Sequence, residues 1–257
     1  MNEEQLKLCK VFGLSQLALS NYVEKAQTST AEGEANVIQL NGPILPEEAR
    51  MFFGDAMVSA NSFKQQLAAV PADGTVTVVH NSPGGEVFQM REIMVALGKF
   101  KQNGGTVVTD VESLSASAAS VIALMGSPFR MSEVAQLMLH NPHTVAIGDS
   151  QELRKAADRL QVTTDEMADL YTNHSSLERD KVLAIMQEET FLTAKEAQEA
   201  GFATEIYSLV DTSKSEEPAE KADYSSVMDI FALERKHPIL ASIHSTSLQE
   251  GTIHGQA

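Results

Sequence analysis

The chain has 257 residues, 43% hydrophobic and 21% charged, which suits one large α/β domain with short extensions about as well as two small domains. Acids outnumber bases 35 to 19, for a formal charge of −16; this argues against a nucleic-acid partner, because phosphate binding is built mainly from Lys and Arg. The single cysteine, Cys9, excludes an internal disulfide and a cysteine metal cluster, and with no histidine near it in sequence it reads as a small apolar residue rather than a nucleophile.

The chain opens Asn2-Glu3-Glu4, with no basic region followed by an apolar block, so no secretory signal is expected and the expected compartment is cytoplasmic. The apolar stretch 121–125 is far short of the roughly 20 residues that span a bilayer, so no membrane association is expected. Residues 1–35 combine a weakly amphipathic stretch (Leu6, Val11, Leu14, Leu17) with a Thr/Ser/Glu-rich linker, and the core is predicted to begin at 36. Val37-Ile38-Gln39-Leu40 reads as a buried strand ended by Gly42-Pro43, and 47–67 has helical spacing in Ala49, Phe52, Phe53, Ala56 and Phe63. The β-branched run 75–79 leads into Asn81-Ser82-Pro83-Gly84-Gly85. Val87, Met90, Met94 and Leu97 then recur at helical intervals up to Asn103-Gly104-Gly105. A third strand over 106–111 and a short helix over 116–125 follow. Alternating strands and helices predict an α/β fold with parallel strands and helical crossovers.

This order gives the glycines and Ser117 a common location. Both stand where a strand ends and a helix begins, the edge at which open parallel sheets form their sites. A helix starting near Ser117 offers unpaired N–H groups to an anionic tetrahedral intermediate, and Gly85, lacking Cβ, permits close approach of a carbonyl. Gly85 and Ala118 N–H are therefore the expected oxyanion donors. A serine hydroxyl also needs a base. Of seven histidines, His140 is the best placed, because the apolar run 135–139 precedes it and Asn141-Pro142 ends the strand. His143 is the nearest rival, and His80, beside the glycine loop, reads as a strand residue. Pro142 makes a helical His-x-x-His metal pair improbable, so neither metal nor cofactor is expected.

The Asn-Ser-Pro-Gly-Gly loop, the Ala116-Ser117 step, Leu139-His140-Asn141-Pro142 and Phe191-Leu192-Thr193-Ala194 followed by Gly201-Phe202-Ala203 resemble, in order and spacing, the ClpP serine peptidases. Within them the chain is most similar to the ClpP-like head maturation proteases of tailed bacteriophages. The resemblance covers 36–209, with 1–35 as an N-terminal extension and 210–257 as an acidic linker and tail. It implies a ClpP/crotonase-like fold of repeated ββα and βα units with a projecting handle helix. It also implies Ser117 as nucleophile, His140 as base and Gly85 with Ala118 as oxyanion donors. The third triad member departs from the pattern: the family's aspartate position holds Glu189, and Glu188 competes with it. Ser113, Ser115 and Ala119 also depart from the usual residues around the serine, leaving Ser115 as a rival nucleophile.

The helical pattern of 150–187 (Leu153, Ala157, Leu160, Met167, Leu170, Leu177, Val182, Ile185) matches the family's handle and implies a homo-oligomeric ring, although an amphipathic helix packed on its own domain has the same pattern. Beyond it, 211–223 reads as a solvated acidic linker, and Met228, Phe231 and Leu233 as a short apolar helix or a weakly ordered tail.

Three functions compete. They are an endopeptidase that processes capsid or scaffold proteins in phage head maturation, a crotonase-like acyl-CoA enzyme using the same oxyanion hole, and a non-catalytic assembly module. Gly-x-Ser-x-Gly, Ser-x-x-Lys and Gly-x-x-x-x-Gly-Lys-Ser/Thr are all absent, so other serine hydrolase designs find no support, and an ATPase partner is not expected to be required.

Overall fold

The computed structural model describes residues 36–209. Cys9, the N-terminal amphipathic stretch, the acidic segment 211–223 and the apolar residues 228–233 lie outside the described residues.

Five of the seven strands of the described sheet, β1 (Val37–Asn41), β2 (Thr75–Ser82), β3 (Thr106–Ala116), β4 (Phe129–Ser132) and β7 (Glu205–Tyr207), lie parallel in the order β1-β2-β3-β4-β7. Parallel neighbours cannot be joined by a tight hairpin, so helices carry the crossovers. They are α1 (Arg50–Phe53) and α2 (Ala60–Ala68) after β1, α3 (Val87–Gln102) after β2, and α4 (Ala118–Ala123) after β3. β5 (Gln136–Leu139) is followed by α5 (Ser150–Asn173) and α6 (Arg179–Gln187), and β6 (Thr190–Thr193) by α7 (Ala194–Glu199). This α/β architecture is that of the ClpP/crotonase type.

β3 organises the site because it changes partner along its length. Thr109–Val111 pairs with β4 in parallel, whereas Leu114–Ala116 pairs with β5, also in parallel. The switch coincides with a register shift against β2, where His80 faces Val111 but Asn81 faces Leu114. An irregularity of this kind bends a strand and re-aims its side chains. β5 then pairs with β6 in antiparallel register, from Gln136 opposite Thr193 to Leu139 opposite Thr190.

Burial follows the helical periods. α3 buries Met90, Ile93, Leu97 and Phe100 on one face. α4 has no exposed face, since all six of its residues are buried. Small residues at 118–120 suit a helix that must run between the sheet and its neighbours. The C-terminal half of α5 buries Thr164, Met167, Ala168 and Tyr171, while Leu153 near its start and Val162 at its middle remain exposed.

The structure revises four boundaries. The expected helix over 47–67 is a 3₁₀ turn (Glu47–Ala49), α1 and α2, interrupted where Gly54 takes φ 57 and ψ −136. Ser59 then starts α2 with a reciprocal capping box to Ser62. The third strand continues beyond 111 to Ala116, because β5 supplies a second parallel partner. The helix over 116–125 is shorter, Ala118–Ala123, since Ala116 still belongs to that ladder. The run 150–187 is two helices: His174 caps α5, and Ser176 N–H turns away to Ala200 O at 2.8 Å.

Candidate active site

Three strand ends meet at Ser117. It follows β3 directly, and its N–H donates to Met138 O of β5 at 2.9 Å, while its backbone holds φ 55 and ψ −125. A positive φ costs a residue with a β-carbon on the order of 1–3 kcal/mol and persists only where surrounding bonds enforce it. Here the N–H bond to β5 and the buried α4 are the enforcing contacts, and the hydroxyl emerges at a strand-to-helix corner.

The Gly84-Gly85 turn lies against that corner. A β-carbon at Gly84 would stand 2.5 Å from Ala116 O, 2.7 Å from Ser117 Cβ and 2.8 Å from the Ala118 nitrogen, and one at Gly85 would stand 2.0 Å from Ile44 O. With φ of 86° and 153°, both positions also need backbone freedom that side chains restrict. Ile44 clamps the turn by two hydrogen bonds, Ile44 N–H to Gly84 O at 2.8 Å and Glu86 N–H to Ile44 O at 2.9 Å. Gly85 lies between these bonds. Among the described hydrogen bonds, neither its N–H nor that of Ala118 has an acceptor. Sequence reasoning named Gly85 but missed Gly84 as the residue in contact with Ser117, and missed Ile44 entirely.

His140 follows β5, and its Nε2 lies 2.7 Å from Ser117 Oγ. Burial, and then the neighbouring His143, lower its pKa below the usual 6.5, opposed by the negative charge of Glu189. Near neutral pH the ring is therefore uncharged, and Nε2 can accept the serine proton. The two histidine rings meet edge to face with centroids 5.5 Å apart. Among the described residues, no group of three His, Cys, Asp or Glu side chains could hold a metal ion. No helix among them is long and apolar enough to cross a membrane.

The two candidate acids differ in their effect on His140. The antiparallel ladder ends with Leu139 opposite Thr190, which sets Glu189 next to the end of β5, and it is the charge of Glu189, not of Glu188, that acts on His140. Glu188 instead caps α6. Glu189, at φ 50, is exposed and acts on His140 through its charge; no hydrogen bond joins the two among the described contacts. Ser115 is turned away from this crevice: fully buried, it pairs with His80, whose Nδ1 lies 3.1 Å from its Oγ.

Beside Gly85 and His143 opens a cleft of about 690 Å³, whose walls include Phe88 of α3, Val145, and Leu160 and Val162 of α5. Its size suits several side chains of an extended peptide.

A serine hydroxyl within hydrogen-bonding distance of a histidine at a strand-to-helix corner, two N–H groups without an acceptor among the described hydrogen bonds and an adjoining cleft are the arrangement that acyl-transfer chemistry requires. The sequence model of the Clp protease family matches residues 42–209, and the chain belongs to that family. It is similar to the ATP-dependent Clp protease proteolytic subunit of Bacteroides fragilis, 28% identical over 153 residues, which are 58% of this chain and 72% of that protein. It also resembles the ATP-dependent Clp protease proteolytic subunit 2 of Corynebacterium jeikeium, 25% identical over 169 residues, covering 63% of this chain and 79% of the relative. Subunit 4 of Streptomyces avermitilis is 26% identical over 170 residues, covering 63% and 74%.

Proposed function

We propose that the chain is a serine endopeptidase of ClpP type, with Ser117 as nucleophile, His140 as general base and Glu189 as the carboxylate that stabilises the imidazolium. The observation that carries this reading is the 2.7 Å approach of His140 Nε2 to Ser117 Oγ. As Oγ attacks a peptide carbonyl, His140 takes its proton, and the oxyanion is received by the N–H groups of Gly85 and Ala118. His140 then gives that proton to the leaving amine. A water, deprotonated by the same ring, opens the acyl-enzyme and restores the serine. Glu189 is one methylene longer than an aspartate, exposed and without a hydrogen bond to His140 among the described contacts, so its contribution is electrostatic more than orientational.

Within this reading the substrates are capsid or scaffold proteins cut during phage head maturation. The protein works as a homo-oligomeric ring in the cytoplasm or the assembling virion, without an obligatory ATPase partner. The motif resemblance supports these finer assignments. The test is incubation of the purified chain with a fluorogenic peptide library and with capsid and scaffold proteins, no nucleotide added. Cleavage of both at defined bonds, lost in Ser117→Ala, is expected. Peptide cleavage without capsid or scaffold cleavage refutes the head-maturation role, and a requirement for ATP and an unfoldase refutes the autonomous one. The unbonded His140–Glu189 pair favours a second reading, an assembly module with decayed chemistry, which no cleavage of either substrate would support.

A further inference from the structure

The Ser117–Ala118 peptide unit presents one end to the crevice and the other to the protein interior. A trans peptide is planar and holds its C=O and N–H in opposite directions, so whatever fixes the Ser117 carbonyl also aims the Ala118 N–H. Three donors converge on that carbonyl: Ser120 Oγ at 2.7 Å, Ser120 N–H at 3.0 Å and Val121 N–H at 3.3 Å. The two amides belong to the helix turn itself. The shortest of the three bonds comes from a side chain, and its rotor must be held for that bond to persist.

Tyr171 of α5 holds it. Its hydroxyl oxygen lies 2.7 Å from Ser120 Oγ, and both side chains are at 0% exposure. The Ser120 O–H is already spent on Ser117 O, so the Tyr171 O–H must donate to Ser120 Oγ. Burial raises the tyrosine pKa, which keeps that proton in place. The Tyr171 ring is fixed in turn by an edge-to-face contact with Phe202 at 6.1 Å. Without this relay, the disfavoured φ of Ser117 gives the peptide a reason to rotate and carry the Ala118 N–H away from the crevice.

We propose that Ser120 and Tyr171 are positioning residues of the oxyanion hole, a relay from Tyr171 O–H through Ser120 O–H to the Ser117 carbonyl that aims the Ala118 N–H. The inference rests on the proposed roles of Ser117 and Ala118, and it ties catalytic geometry to the helix whose other half is exposed.

The test is the time course of phosphonylation of the full-length protein by a fluorophosphonate, in the wild type, Ser120→Ala, Tyr171→Phe and the double variant, each with a thermal unfolding curve. Ser120→Ala is expected to lower the limiting rate about tenfold, short of the about 10²–10³ that outright loss of an oxyanion donor costs, with the probe's apparent affinity and the pH midpoint unchanged. Tyr171→Phe should fall less. The double variant should be no slower than Ser120→Ala alone, since the tyrosine acts only through the serine. Wild-type rates in Ser120→Ala, additive losses in the double variant, or losses that follow a drop in melting temperature would overturn the relay while leaving the Ser117 reading intact. A wild type that is never labelled would overturn both.

Discussion

Ser115 and Ser117 stand next but one to each other at the end of β3, and each has a histidine within hydrogen-bonding distance. His80 Nδ1 lies 3.1 Å from Ser115 Oγ, and His140 Nε2 lies 2.7 Å from Ser117 Oγ. The surroundings differ in every other respect. Ser115 and His80 are at 0% exposure between β2 and β3, and His80 Nε2 is buried without a partner. Ser117 and His140 are half-buried at a crevice, beside two N–H groups that have no acceptor among the described hydrogen bonds and a carboxylate whose charge acts on the ring. A histidine beside a serine is thus a packing solution in one place and, in the proposed function, a reactive pair in the other. What separates them is access, an anion-stabilising backbone and a charge that tolerates the imidazolium.

The strongest way to break this comparison is to delete each hydroxyl. Ser117→Ala should lower peptide hydrolysis by about 10⁴-fold or more, while Ser115→Ala should leave turnover near wild type and cost about 1 kcal/mol of stability from one lost hydrogen bond. Equal losses in the two variants would contradict the distinction. Gly84→Ala comes next: its β-carbon would displace the Ser117–Ala118 corner, so turnover should fall by about 10²–10³ while the cooperative unfolding transition persists.

A smaller effect sharpens the electrostatic difference. Because Glu189 raises the pKa of His140 and His143 lowers it, Glu189→Gln should move the acidic limb of the pH-rate profile to lower pH and reduce the plateau, by about tenfold. His143→Gln should move the same limb to higher pH. Shifts in the same direction would refute this arrangement of charges.

The smallest effect on activity belongs to His80, whose consequence is stability. Burial pushes its pKa down from 6.5 to about 3, so between these values the unfolded chain binds a proton that the folded chain refuses. The contribution of neutral His80 is complete above 6.5 and is lost as pH falls, with a slope of about 1.4 kcal/mol per pH unit. Denaturant titrations from pH 7 to 4 should show this slope in the wild type and its loss in His80→Gln. Parallel wild-type and variant curves would contradict it.

Much of this contrast was legible in the sequence, for local reasons. The β-branched run of β2, the glycine turn and the helical stripe of α3 are short-range patterns, and they located the crevice. Ser117 and His140 could be named because each lies beside a strong punctuation mark, a strand-to-helix step and an Asn-Pro. The register of β5 against β6, which brings the segment carrying Glu189 to the end of β5, joins segments far apart in the chain and has no local signature. The same holds for Ile44 clamping the glycine turn, for the pairing of His80 with Ser115 and for Tyr171 meeting Ser120. The break at Gly54 was hidden by apolar residues that kept helical spacing across it.

The most direct test of the difference between the two serines is adduct mapping. The protein is treated with a fluorophosphonate at neutral pH, digested, and the modified peptide sequenced by mass spectrometry in the wild type and in His140→Ala. A single adduct on Ser117 that disappears in His140→Ala is the expected result. An adduct on Ser115, or one on Ser117 that forms equally fast without His140, would contradict the central claim.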